Sequence, residues 1–216
     1  MSFKAKHVFF AAFGLMTLFV FYFYETAFLD PSSPVWQHVE PVKWLLLFHG
    51  VAGAVALLVA PFQFSARLRR RHPRLHRVLG RLYVAGAFIS APLAVPVAFR
   101  LGPPSLYMAA TIQSCGWLLT TAIALYAIRK GDIRQHREWM TRSYPFAMVF
   151  VVARVLLAVP AIREMGEPGF VSVVWGCIAL ACFVPSLVIS WRSIFGRRAV
   201  AAGRAAIRSK TARAAV

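Results

Sequence analysis

Charged residues in this chain fall almost entirely between long apolar blocks. Five blocks contain no charged residue and a sixth is interrupted only by Arg154; they cover 7–24, 44–66, 82–99, 101–128, 168–191 and, for the interrupted block, 143–162. Because about 20 apolar residues are needed to cross the ~30 Å hydrocarbon layer of a bilayer, six blocks predict six membrane spans. The predicted spans are 8–28, 42–64, 80–99, 105–128, 144–162 and 170–191. The sequence therefore predicts an all-α membrane protein built as a six-helix bundle.

The sign of the charge alternates from one gap to the next. Most of the 25 basic residues lie at the N-terminus, in the gaps after the second and fourth blocks, and in the segment 192–216. Most of the seven acidic residues lie in the other gaps: Glu25, Asp30, Glu40, Glu164 and Glu167. Because basic loops stay in the cytoplasm, both termini are predicted to be cytoplasmic and the protein is assigned to the inner (plasma) membrane.

Composition limits what else the chain contains. Of its 216 residues 59% are hydrophobic, so one membrane domain (1–191) and a basic cytoplasmic tail (192–216) account for the whole chain and leave no room for a soluble catalytic domain. The net charge of +18 is spread over one membrane face, which predicts attraction to anionic lipid headgroups and not nucleic-acid binding. Enzymatic activity, homo-oligomerisation and a membrane partner are left open.

Arg154 is the clearest candidate functional residue, because a charge inside a span costs at least ~2.5 kcal/mol on insertion scales. At ~1.5 Å per residue, Arg154 and Gln113 lie ~13 Å, and His49 ~9 Å, from the outer ends of their predicted spans. Trp117 follows Gln113 by one helical turn. We therefore predict that His49, Gln113, Trp117 and Arg154 form a ligand-binding layer in the outer half of the bilayer.

Three hypotheses fit this layer. In the first, the protein is redox-linked and holds heme b or a quinone, with His49 as heme ligand or hydrogen-bond donor and no other metal ligand assigned. In the second, it is a non-enzymatic binder or transporter of a small anion or lipid, with Arg154 as counter-charge. In the third, it is a structural subunit: His49 bonds to a carbonyl, and Gln113 and Arg154 only specify helix packing.

A second candidate site lies at the cytoplasmic ends of the predicted spans. His76 and His136 precede the third and fifth spans, and each begins a short repeated pattern: His76-Arg77, Arg81, Tyr83 and His136-Arg137, Arg142, Tyr144. The two histidines, meeting across the mouth of the bundle, would ligate a heme or metal. The favoured alternative is surface histidines that touch lipid phosphate, since no cysteine or carboxylate pair completes a metal set.

The chain resembles an uncharacterised bacterial and fungal family of predicted multi-pass membrane proteins, known only as a domain of unknown function. The segments that carry the resemblance are His49-Gly50, Ala60-Pro61-Phe62-Gln63-Phe64, His72-Pro73-Arg74-Leu75-His76-Arg77, Gly80-Arg81-Leu82-Tyr83, His136-Arg137-Glu138-Trp139-Met140-Thr141-Arg142-Ser143-Tyr144 and Arg154. The resemblance implies the architecture and no activity. The layout of histidines is also, more weakly, similar to cytochrome b561-type membrane proteins, although His49 has no second histidine at its depth.

Overall fold

The computed structural model describes the backbone of residues 3–26 and 30–213, and the side chains of residues 8, 10–23, 26 and 30–191. Within these ranges all regular structure is helical. The helices are α1 (Phe3–Val20), α2 (Pro34–Val39), α3 (Lys43–Gln63), α4 (Ala66–Arg71), α5 (Pro73–Leu101), α6 (Pro104–Arg129), α7 (Ile133–Leu156), α8 (Pro160–Arg163) and α9 (Gly166–Arg213). A π-helical turn (Phe21–Glu25) extends α1, and a 3₁₀ turn (Glu40–Val42) joins α2 to α3.

Four helical stretches in the described part of the chain are long and apolar enough to cross a membrane. They are Pro34–Gln63, Pro73–Leu101, Pro104–Arg129 and Gly166–Trp191, and they correspond to the predicted second, third, fourth and sixth spans. The apolar stretch of α1, Phe10–Phe23, is shorter. The number of spans and the orientation of the termini stay predictions.

The helix that contains most of the predicted fifth span, 144–162, begins and ends earlier than that span. The helix begins at Ile133, where the Asp132 side chain accepts a hydrogen bond from Gln135 N–H (2.9 Å), a capping arrangement that satisfies an N-terminal amide. It ends at Leu156, because Val159 precedes Pro160 and is held in an extended conformation. The 24 residues of α7 extend over ~36 Å. The charged residues of its first turns make α7 less apolar than the four helical stretches named above.

Local sequence signals explain the other helix boundaries. Proline stands at the first position of α5, where its missing N–H has no helical partner to lose, although the His72 side chain makes no capping hydrogen bond. Ser65 caps α4 by accepting from Leu68 N–H (3.2 Å). Gly131 makes the turn between α6 and α7 at φ +79°, a conformation that favours glycine. The backbone of the basic tail continues α9 as a helix to Arg213, and its side chains lie outside the described residues.

Helices α3, α5, α6 and α7 form the core. Their packing order is α3 on α5, α5 on α6 and α6 on α7, and α7 also contacts α3. Helices α1 and α9 pack mainly on α7, at the outside of this core. Small residues set the close approaches: a Cβ at Gly86 of α5 would lie 2.6 Å from the Ala52 carbonyl oxygen of α3. This arrangement places α5 diagonally opposite α7 in the core.

Candidate functional site

The polar side chains of the core fall into two groups, which we locate by the ends of the bundle. The basic end is the end at which α5 and α7 begin, because α4 and the first turns of these two helices carry arginines. The far end is the opposite one.

His49 lies toward the far end and bonds to α5. Its Nδ1 lies 2.9 Å from the Ser90 carbonyl oxygen and 3.1 Å from Ser90 Oγ. Because a carbonyl oxygen only accepts, Nδ1 carries the proton of the neutral ring and Nε2 keeps a lone pair. Gly53, one turn along α3, lets Ser90 approach, since a Cβ at residue 53 would lie 2.9 Å from Ser90 Oγ.

Gln113 and Trp117, predicted to share one site, point to different partners. Gln113 Nε2 donates to the Phe146 carbonyl oxygen of α7 at 3.1 Å. Trp117 Nε1 donates to Tyr83 Oη of α5 at 3.0 Å. Gln113 therefore ties α6 to α7, whereas Trp117 belongs to a cluster nearer the basic end.

Arg154 lies in the last turn of α7, two residues before the helix ends at Leu156. The predicted depth of ~13 Å assumed one continuous helix up to Arg163, whereas α7 ends at Leu156. A cation in the last turn is favoured by the helix dipole, and its guanidinium carbon lies 5.0 Å from the centre of the Phe150 ring.

The described contacts do not bring the predicted outer layer together. His49 bonds to Ser90, Gln113 bonds to Phe146, and Arg154 contacts Phe150. The convergence of the three side chains on one ligand stays a prediction, without support from these contacts.

Four residues of α5, α6 and α7 form a ring of hydrogen bonds in the half of the core nearer the basic end. The ring begins at the Trp117 side chain and closes at the Trp117 main-chain carbonyl. Trp117 Nε1–H donates to Tyr83 Oη (3.0 Å), and Tyr83 Oη lies 2.6 Å from Ser143 Oγ. Ser143 Oγ lies 2.7 Å from Thr121 Oγ1, which donates to the Trp117 carbonyl oxygen (2.7 Å).

The Trp117 carbonyl oxygen can only accept a hydrogen bond, and this fixes the direction of the other bonds in the ring. The Thr121 hydroxyl proton goes to the Trp117 carbonyl, so Thr121 Oγ1 accepts from Ser143 and Ser143 Oγ accepts from Tyr83. All four residues are buried. Hydrogen bonds in such a network strengthen one another, so the ring holds three helices at one level.

Tyr144 is buried beside this ring and differs from it. Within the described residues, its hydroxyl oxygen has no hydrogen-bond partner. Its ring packs on Phe13 of α1, with the ring centres 6.0 Å apart, and on Phe64 just after α3, at 5.6 Å. Tyr83 of α5 is within electrostatic range of it. Tyr144 therefore lies where α1, α3, α5 and α7 meet.

His76 is positioned by the end of α3. The Gln63 amide satisfies its neighbours in the orientation that turns its nitrogen toward His76: the nitrogen then donates to His76 Nδ1 (3.0 Å) and to the His76 carbonyl oxygen (3.2 Å), and the side-chain oxygen accepts from Gly80 N–H (3.3 Å). Because Nδ1 accepts, the neutral ring carries its proton on Nε2. His76 therefore offers an N–H donor to a ligand.

His136, in the first turn of α7, is positioned by α6. Its Nδ1 lies 2.9 Å from the Ala124 carbonyl oxygen and so donates to it, which leaves the lone pair on Nε2. When protonated, His136 gains a second N–H donor at that atom. His76 and His136 lie within electrostatic range of each other, so the structure brings these two predicted residues to the same end of the core.

Two arginines add positive charge beside the two histidines at this end, and we call the four side chains the basic mouth: Arg69, His76, His136 and Arg137. Arg69 lies within electrostatic range of both His76 and Arg137. Partial burial, together with Arg137 and Arg70, lowers the pKa of the Arg69 guanidinium below its ordinary value. The side chains of Arg69, His76 and His136 are half-buried, and Arg137 is exposed.

The carboxylates near the basic mouth are engaged elsewhere. Asp132 accepts from Gln135 N–H, and Glu138 pairs with Arg134 at 3.1 Å. Among the described side chains, neither acid forms a salt bridge with a member of the basic mouth. The described residues also include no group of three histidine, cysteine or acidic side chains suited to a metal ion. The guanidinium groups of Arg69 and Arg137 and the N–H of His76 can donate hydrogen bonds to an anion.

Ser143, Thr121 and the core role of Tyr83 were not predicted from the sequence, although the sequence contains a signal for them. Tyr83 follows His76 by seven residues, and Ser143 follows His136 by the same seven. Seven residues are two helical turns, so each pair lies on one face of its helix. The register of the repeat thus equates Tyr83 with Ser143, the two residues that bond across the core, and not with Tyr144.

Comparison with known proteins identifies the chain at family level. Residues 46–194 match the model of a family described as "Predicted membrane protein (DUF2306)", so the chain belongs to that family. No curated protein and no solved structure matches the chain, and the similarity to cytochrome b561-type proteins gains no support.

Proposed function

We propose that this member of the DUF2306 family is a non-enzymatic membrane protein that binds the phosphate of an anionic lipid at its basic mouth. The observation that supports the proposal is that Arg69 and His136, from two other helices, lie within electrostatic range of His76, while the nearby carboxylates are occupied by other groups. Charged donors around a phosphate make the strongest hydrogen bonds that side chains form.

We place the basic mouth at the cytoplasmic face of an inner (plasma) membrane protein with six spans. Helix α7 packs between α6 and α9, two of the four helices that are apolar enough to cross. A helix in that position crosses with its neighbours, and its charged first turns then lie at the headgroup level. With α1 as a further span, the proposed count is six. Reporter fusions at residues 31 and 216 should therefore report opposite sides of the membrane.

The basic mouth differs from a generally basic surface. Diffuse attraction to anionic lipids gives ~1 kcal/mol for every Lys or Arg near the membrane, wherever it lies. If the basic mouth is a specific site, the half-buried Arg69 contributes more to the affinity for an anionic lipid than nearby exposed arginines, such as Arg71 and Arg74. Equal changes of charge at the two kinds of position therefore separate the two explanations.

The test compares two double variants of equal charge, Arg69→Gln/Arg137→Gln and Arg71→Gln/Arg74→Gln. Each protein is placed in nanodiscs of phosphatidylcholine with a small fraction of phosphatidic acid, and retained lipid is counted by native mass spectrometry. We expect the first variant to lose about tenfold in phosphatidic acid affinity, as for a lost hydrogen bond to a charged group. Adding inorganic phosphate as competitor shows whether the free anion binds as well.

Equal losses in the two variants would contradict the proposal and leave diffuse attraction as the explanation. No loss in either would favour the structural-subunit hypothesis. Circular dichroism of both variants shows that the comparison is between folded proteins.

Heme b or quinone binding at His49 is the second candidate, and one observation favours it. His49 Nδ1–H is held by the Ser90 carbonyl, an arrangement that orients metal-ligating histidines and leaves Nε2 for the metal. In this candidate Gln113 orients the ligand and Arg154 pairs with its anionic or carbonyl end. A Soret band that His49→Gln abolishes would support heme, and a quinone lost on the same substitution from organic extracts would support quinone.

A further inference from the structure

We propose a second, separate binding site at Tyr144, which takes the carbonyl oxygen of a neutral apolar molecule. This site is distinct from the proposed phosphate site at the basic mouth, because it lies inside the core and its ligand carries no charge. The observation behind it is the Tyr144 hydroxyl, which is buried in a residue only 4% exposed and has no partner among the described residues.

Burying a hydroxyl without a hydrogen bond costs about 1–3 kcal/mol. The neighbouring hydroxyls show that the core can satisfy such groups, since Tyr83, Ser143 and Thr121 are bonded into the ring. Phenylalanine at position 144 would keep both ring contacts without this cost. A tyrosine there is explained if its O–H donates to a ligand.

The surroundings of Tyr144 define the chemistry of that ligand. Phe13 and Phe64 flank the ring with apolar surface. The Tyr83 hydroxyl accepts from Trp117 Nε1–H and donates to Ser143 Oγ, so it has no proton left to donate to a ligand. A ligand here therefore needs an acceptor oxygen on an apolar body, which a quinone carbonyl or a lipid ester carbonyl supplies.

One helix closes this site toward the lipid. Phe13 belongs to α1, whose tertiary packing within the described residues is mainly on α7. The other neighbours, Phe64 and Tyr83, belong to the more extensively packed α3–α5 pair. A molecule dissolved in the bilayer would therefore reach Tyr144 beside α1.

The test uses Tyr144→Phe, which removes only the hydroxyl, with Tyr126→Phe as the matched control at an exposed tyrosine of α6. Detergent-purified, lipid-stripped proteins are titrated with a decyl-substituted benzoquinone and, separately, with dioctanoylglycerol. Binding is followed by the shift of thermal unfolding in circular dichroism. We expect at least one probe to stabilise wild type and Tyr126→Phe, and its affinity to fall about tenfold in Tyr144→Phe.

Stabilisation by the benzoquinone alone assigns a quinone, stabilisation by the glyceride alone assigns a lipid ester, and stabilisation by both assigns the carbonyl group. Without a probe, Tyr144→Phe should unfold at the same temperature as wild type or higher. Lower stability of the stripped variant would overturn the proposal, because it would mean that the hydroxyl is bonded within the protein. Failure of both probes to stabilise wild type, or equal affinity for wild type and Tyr144→Phe, would overturn it too.

Failure at this site is distinguishable from failure at the basic mouth. Phosphatidic acid retention depends on Arg69 and Arg137, and Tyr144→Phe should leave it unchanged. Conversely, Arg69→Gln/Arg137→Gln should leave the affinity for the carbonyl probe unchanged.

Discussion

The two halves of the core satisfy their polar side chains in different ways. Toward the far end, His49, Gln113 and Ser114 each bond to a backbone carbonyl of a neighbouring helix, and each such bond joins two helices. Toward the basic end, the side chains of Tyr83, Ser143 and Thr121 bond to one another. When a side chain bonded to a helix carbonyl is removed, the carbonyl keeps its bond within its own helix. When a member of the ring is removed, the neighbouring side chain in the ring loses its partner. The half nearer the basic end is therefore more sensitive to substitution. It also contains the Tyr144 hydroxyl, which has no hydrogen-bond partner in the described part of the chain.

The largest expected effect is that of Tyr83→Phe, which leaves Trp117 N–H without an acceptor and Ser143 without its donor. We expect the free energy of unfolding to fall by about 2–4 kcal/mol, since each buried unpaired group costs about 1–3 kcal/mol. Unfolding in mixed micelles with increasing SDS, followed by circular dichroism, measures it. Tyr126→Phe is the control, and a loss for Tyr83→Phe no larger than that of the control would disprove the ring.

Two buried serines give the most direct comparison between the halves. Ser143→Ala removes a member of the ring, whereas Ser114→Ala removes only a bond to the Ala91 carbonyl oxygen (2.6 Å). We expect a loss of about 1–2 kcal/mol for Ser143→Ala and about 0.6 kcal/mol for Ser114→Ala, the average for such bonds in membranes. The same SDS titration applies, and the reverse order would show that the two halves do not differ as described.

Gln113→Leu probes the far half alone. Its bond to Phe146 joins α6 to α7, so we expect a cost of about 0.6 kcal/mol. Phosphatidic acid retention in nanodiscs should not change. A marked loss of retained ligand would restore the predicted outer layer as a binding site.

The smallest expected effect is that of Arg154→Leu on ligand retention. Arg154 lies in the last turn of α7, remote in sequence from the basic mouth at the start of the same helix. Phosphatidic acid affinity should stay within twofold of wild type in the native mass-spectrometry assay. The outer-layer hypothesis predicts the opposite, namely a folded protein that has lost its ligand.

The sequence by itself determined the helical class, the apolar stretches and several helix boundaries. Twenty apolar residues in a row have few alternatives to a membrane helix, and His72-Pro73 marks the start of α5 through the fixed φ of proline. The repeated His-Arg pattern indicated that His76 and His136 share one end of the core, and both lie near the start of helices that run in the same direction.

Only the tertiary structure decided which faces of these helices meet. Depth along a helix gives one coordinate of a side chain, and rotation about the helix axis gives another that length and hydropathy do not contain. Gln113 and Trp117 share a helix yet bond to α7 and α5 respectively. The depth predicted for Arg154 assumed a helix continuous to Arg163, whereas α7 ends at Leu156. Ser143 and Tyr144 are adjacent in sequence and point in different directions, so that one hydroxyl closes a ring and the other has no partner among the described residues.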